Sequence, residues 1–116
     1  MKRRFRLTRP ADFKRVRREG RSYAHPFVVL IALSNDLDQV RIGVAAGRAV
    51  GGAVERNRAK RLLRAGISPL LTKLSAGYDL VLLARKPILE VKSHQVTAAL
   101  AQNLKKADLI KDDHAS

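Results

Sequence analysis

Arg56, Arg58, Lys60, Arg61 and Arg64 place five cations within nine residues, with Asn57 among them and Gly51-Gly52 just ahead. The chemistry open to such a set is holding an anion through charge and hydrogen bonds. At about 100° per residue, Arg56, Lys60 and Arg64 fall in one stripe, with Asn57 and Arg61 beside it and Arg58 near its edge. Ala59, Leu62, Leu63 and Gly66 fall on the opposite side, so the segment reads as a helix that buries Leu62 and Leu63. Like charges four residues apart cost roughly 0.2–0.5 kcal/mol per pair, and Glu55 is the one acid in the run. It stands near the helix start, where the dipole favours it. A face built for stability alone would alternate signs, so the ridge points to an anionic partner.

Other constellations are weaker. Gly47 and Gly52 have P-loop spacing, but Ala53 and Val54 follow where that motif needs Lys and Ser or Thr, which rejects nucleotide hydrolysis. What survives is that backbone N–H groups at Gly51 to Ala53, at a helix start, could hold a phosphate of a polymer. Gly51-Gly52 as a plain sharp turn is the equal alternative. His25, His94 and His114 have no metal-ligand spacing and read as surface or capping residues, and a nuclease using a histidine pair stays as a competing idea. Asp12, Asp79 and Glu90 form no acidic cluster suited to a two-metal site. The expectation is no catalytic residue and no metal ligand on this chain. Phe13, flanked by Lys14, Arg15 and Arg17, is the best candidate for stacking on an unpaired base. It could equally dock its helix on a sheet through Phe13 and Val16.

The elements that must position these groups follow from periodicity and breakers. A first helix is expected from Thr8–Pro10 to Gly20, with Thr as a cap, Pro in the first turn and Gly as the terminator. Residues 26–33, PFVVLIAL, form a continuous apolar run suited to a buried strand. Residues 34–39 turn, and 40–45 return with Arg41 and Gly43 on one face and Val40, Ile42 and Val44 on the other. These two runs predict an antiparallel hairpin. After the basic helix comes a short helical segment over 68–74, then a third buried strand over 78–84 ending at Arg85-Lys86-Pro87. A closing helix starts near Ser93 with Val96, Leu100 and Leu104 on one side. The end, about 108–116, is expected to fray.

With 116 residues the chain has room for one core, and 46% hydrophobic residues argue for a folded domain. Twenty-four Lys and Arg against ten Asp and Glu give a formal charge of +14, the footprint of a nucleic-acid binder. Residues 1–21 hold ten of the cations, so two basic regions imply a broad contact. The absence of cysteine excludes a disulfide framework, a thiol nucleophile and a Cys-based zinc site. No apolar run approaches the ~20 residues of a membrane span. The expectation is a soluble, cytoplasmic, single RNA-binding domain over 1–116 with no membrane contact.

Gly43, Gly51, Ala53-Val54, Arg56-Asn57-Arg58, Lys60-Arg61 and Arg64 together resemble the signature of the protein subunit of bacterial ribonuclease P. The first helix with Phe13 and Gly20, the strand ending Ala84-Arg85-Lys86-Pro87 and the closing helix occur in that family's order. The resemblance implies an α+β fold: a two-layer α/β sandwich, ribosomal-protein-like, with a mixed sheet of about four strands and an unusual left-handed βαβ crossover. It implies a basic partner of a catalytic RNA that removes the 5′ leader of precursor tRNA, with Mg²⁺ held mainly by the RNA and no protein partner required. Arg48, Arg56, Asn57, Arg58, Lys60, Arg61 and Arg64 would face the catalytic RNA. Phe13, Arg17, Arg41, Arg85 and Lys86 would line a cleft for the single-stranded leader. Two departures stand out: Arg17 replaces a second aromatic common in the family, and Ala49 replaces a loop cation. The competing reading is a ribosomal or RNA-chaperone-like basic protein without a cleavage role.

Overall fold

A computed structural model describes residues 2–110. Its elements are α1 (Pro10–Glu19), β1 (Arg21–Ala24), β2 (Val28–Ser34), β3 (Val40–Ala45), α2 (Ala53–Ile67), β4 (Tyr78–Ala84) and α3 (Ser93–Lys106). Short 3₁₀ turns occupy Arg3–Phe5, Ser68–Lys73 and Lys86–Glu90. The four strands make one mixed sheet in the order β1-β2-β4-β3, antiparallel except for the parallel pair β3 and β4.

That order corrects the expected hairpin, because β4 lies between β2 and β3. The long apolar runs of β2 and β4 belong to central strands covered on both faces. Val28, Leu30, Leu80 and Leu82 enter the larger core with α2 and α3, while Ile31 and Val81 meet Val16 of α1 on the other side. β3 alternates because it lies near the sheet edge. Beyond it, among the described residues, only an isolated bridge from Arg6 to Ile42 continues the sheet. Gly77 fills the gap between β2 and β3: it accepts from the Asn35 N–H and donates to the Gln39 carbonyl. Its φ of +91° suits glycine. The chain from β3 through α2 to β4 is a βαβ crossover between parallel neighbours. α2, α3 and the sheet form the main sandwich, and α1 adds a layer on the second face.

β1 was not expected, since RSYA is short, polar and largely exposed, with Tyr23 packing inward. α1 starts at Pro10 with Arg9 in the capping position and no side-chain cap, so Thr8 does not cap it. Gly20 ends it for reasons of space: its backbone is extended, and a Cβ there would lie 2.5 Å from the Val16 carbonyl and 2.7 Å from Ile31 Cγ2. At the other end, Asp108 (φ +59°) turns the chain so that the Leu109 N–H returns to the Leu104 carbonyl. Leu109 is buried and Ile110 bridges Leu74, so the start of the expected frayed segment is docked. Residues 111–116, including His114, lie outside the described residues.

Candidate nucleic-acid interface

The chain enters α2 through Gly51 at φ +147°, a conformation reserved for glycine. The Gly52 N–H donates to Glu55 Oε1 at 3.0 Å and the Gly51 N–H to the Arg48 carbonyl at 3.1 Å. Two of the three N–H groups considered for a phosphate are therefore already satisfied, one by a carboxylate. The glycine pair serves as a turn and helix start.

Ala59, Leu63, Gly66 and Ile67 are the buried side of α2, with Leu62 only partly covered. Ile67 in place of Leu62 rotates the outward direction toward Asn57, Arg61 and Arg64, all exposed. The cations therefore wrap the helix rather than forming one ridge. Arg56 and Lys60 are half-buried on one flank and Arg58 stands on the other. None of the five is in an ion pair among the described residues, whereas Arg15, Arg18 and Arg41 all are. Unpaired like charges on one helix form a surface prepared for polyanions.

Phe13 projects from α1 onto Gly43 of β3, where a Cβ would lie 2.3 Å from its Cζ. The ring is half-buried against the smaller core, so it docks α1. It also lines a hollow of about 220 Å³ with Arg6, Leu7, Thr8, Ile42, Val44 and Arg64. Both expected roles of Phe13 are thus compatible with its position. Arg17, Arg85 and Lys86 come together around a second hollow, of about 490 Å³, whose remaining wall is mainly the loop Ala45–Val50. Arg48 is exposed in that loop, and Gly47 opens onto free space.

Arg41 does not join that groove. It reaches the fully buried Asp79 twice, Nε to Oδ1 at 2.9 Å and Nη2 to Oδ2 at 2.8 Å. Arg15 donates to Oδ2 at 2.7 Å and Asn35 to Oδ1 at 2.8 Å. Burial raises the Asp79 pKa, but the hydrogen bonds from Arg41, Asn35 and Arg15 outweigh it and hold the group below its ordinary value. This cluster was missed in sequence. The available signal was a lone acid inside the apolar run YDLVLLA. His25 accepts a hydrogen bond from the Phe27 N–H at its Nδ1, and burial followed by the charge of Lys106 lowers its pKa. Among the described residues, no three His, Cys, Asp or Glu side chains group so as to hold a metal ion, and no helix is long and apolar enough to cross a membrane.

A sequence model of the family described as Ribonuclease P matches residues 1–108. The chain is 45% identical over 87 residues to the ribonuclease P protein component of Chloroflexus aurantiacus, which covers 75% of this chain and 64% of that relative. It is 40% identical over 111 residues to the ribonuclease P protein component of Chloroflexus aggregans, covering 95% and 82%. Among solved structures, the RNase P protein of Staphylococcus aureus superposes with a TM-score of 0.79 at 28% identity, covering 92% of this chain and 98% of that one. The protein from Thermotoga maritima gives 0.76 at 30% identity, covering 87% and 96%.

Proposed function

The chain belongs to the ribonuclease P protein family, and from that membership we propose that it is the protein subunit of a ribonuclease P ribonucleoprotein. In this reading α2, with Arg48 in the preceding loop, binds the catalytic RNA through Arg56, Asn57, Arg58, Lys60, Arg61 and Arg64. The groove of Arg17, Arg85 and Lys86, with Phe13 beside it, takes the single-stranded 5′ leader of precursor tRNA. Arg41 serves that strand only as a cation fixed by Asp79 on another part of the α1 face. The assembly cleaves the precursor to give the mature 5′ end, and its site of action is the cytoplasm.

The observation that carries this reading is Arg64. It belongs to the unpaired cations of α2 and also lines the hollow under Phe13. In this reading the surface for the catalytic RNA and the hollow under Phe13 share one side chain, which suits a protein that brings a substrate strand to an RNA active site. Phosphodiester hydrolysis is assigned to the RNA and its Mg²⁺ ions. The described residues of this chain present no donor set for such a metal, and the α2 surface is cationic. The ribosomal or RNA-chaperone-like alternative is disfavoured by the family match over nearly the whole chain.

The test is cleavage of precursor tRNA by catalytic RNA at low Mg²⁺, with and without this protein. Stimulation is expected, and cleavage by the protein freed of RNA is not. Arg85→Ala or Lys86→Ala should weaken precursors with leaders more than mature tRNA, lowering the log–log salt slope by about 0.7 per lost phosphate contact. Equal weakening of both substrates would count against a leader groove.

A further inference from the structure

Arg58, Arg61, Leu62 and Ala65 of α2 face Val91, Lys92 and Ser93 across a hollow of about 420 Å³. This hollow shares no lining residue with the one under Phe13 or with the Arg85-Lys86 groove. Its second wall, at the start of α3, carries no role in the reading above. Among the described residues, no carboxylate lines it. Arg58, Arg61 and Lys92 are all exposed, and none is in an ion pair among the described residues. Between them Leu62 and Val91 are half-buried and Ala65 is open, giving an apolar floor beneath a cationic rim.

A regular duplex backbone would engage such a rim and leave the floor empty. A nucleotide turned out of its stack uses both, with its base or ribose on the apolar surface and its phosphate at the cations. The two walls are also held in fixed relation. A Cβ on Gly66 would lie 2.6 Å from Val96 Cγ1, so α2 and α3 approach more closely than any side chain at position 66 would permit. The Thr97 hydroxyl donates across the helices to the Gly66 carbonyl at 2.7 Å. The Lys92 N–H donates to Gln95 Oε1 at 3.0 Å, which fixes the backbone that carries its side chain. A hollow with rigid walls loses little freedom when a ligand enters.

We propose that this hollow binds one unstacked nucleotide of the catalytic RNA, with Arg58, Arg61 and Lys92 at its phosphate and Leu62, Ala65 and Val91 under its base. The proposal rests on the ribonuclease P reading and adds the start of α3 to the RNA-binding surface. Charge favours RNA, and the hollow lies on the same helix as Asn57 and Arg61, so an RNA seated on that face is already beside it.

Two variants test it by independent routes. Ala65→Trp fills the hollow without changing charge at an exposed helix position, and Lys92→Ala removes one rim cation. Binding of each to the catalytic RNA is measured by titration at 50 and 200 mM salt, with thermal unfolding as a check on folding. Ala65→Trp should lower affinity about tenfold with an unchanged salt slope. Lys92→Ala should lower it about threefold and reduce the slope by about 0.7–0.9. Both should keep the wild-type ratio of affinities for precursors with and without a leader. Wild-type affinity in Ala65→Trp overturns the proposal and leaves the hollow to another partner, such as an acidic protein segment. So does wild-type slope in Lys92→Ala. Failure of the unmodified protein to bind the catalytic RNA would instead overturn the ribonuclease P reading itself.

Discussion

Asp79 shows what one buried carboxylate does in a strongly cationic protein. Replacing a buried ion cluster by apolar side chains is often neutral or stabilising, so packing alone does not call for an acid at this position. What the carboxylate provides is placement, because Arg41 and Arg15 are both held by it at hydrogen-bond distance. Its folded pKa lies below the ordinary 3.8. The stability it contributes is therefore present above that ordinary value and lost as pH falls through the lower folded one. Asp79→Asn should cost about 3 kcal/mol at neutral pH, because two guanidiniums lose their counter-charge. Its unfolding midpoint should also fall less steeply than wild type on acidification below about pH 4. Chemical denaturation at several pH values checks both. An acid limb equally steep in the variant would show that other carboxylates set it.

At the scale of elements, the groove proposed for the leader depends on how α1 docks, and docking depends on a missing side chain. Phe13 lies where a Gly43 Cβ would be, within 2.9 Å of three ring atoms. Gly43→Ala must displace the Phe13 ring that docks α1 on β3, at a cost of about 1–3 kcal/mol. It should weaken binding of leader-bearing precursor while leaving affinity for the catalytic RNA near wild type, since α2 packs on the opposite face of the sheet. Parallel binding assays with the two RNAs read this out, and unchanged leader affinity would separate the groove from α1. The sequence carried Phe13, Gly43 and the bounds of β3, β4 and α3, because apolar runs and breakers mark them directly. It did not carry the pairing of strands. Val40–Ala45 follows Val28–Ser34 after a short turn and so resembles a hairpin partner, and only the insertion of Tyr78–Ala84 between them, stitched by Gly77, reveals otherwise. The two flanks of α2 were hidden for a related reason. Shifting one buried position from Leu62 to Ile67 turns the whole cationic surface, and that choice is made by the sheet and α3 rather than by the helix.

Across the whole molecule, two exposed acids mark one end of the parallel strands. Asp36 and Asp38 stand just before β3 begins, while Arg48, Arg85 and Lys86 stand just beyond the end where β3 and β4 finish. Six or seven strand residues separate the two ends by roughly 20 Å. That exceeds the Debye length of about 8 Å at 0.15 M salt, so acids at one end do not weaken the groove at the other. What they can do is repel RNA that approaches in the wrong orientation, which converts a formal +14 into a directional field. The double variant Asp36→Asn with Asp38→Asn tests this directly. Affinity for an unrelated single-stranded RNA should rise about two- to fourfold at low salt, on the order of 0.5 kcal/mol, and return toward wild type at 0.15 M as screening takes over. Affinity for the leader, whose groove lies roughly 20 Å from these acids, should rise less at the same low salt. A gain in leader binding equal to the gain for unrelated RNA would mean that the field acts as a uniform charge and that orientation comes from the shape of the RNA alone.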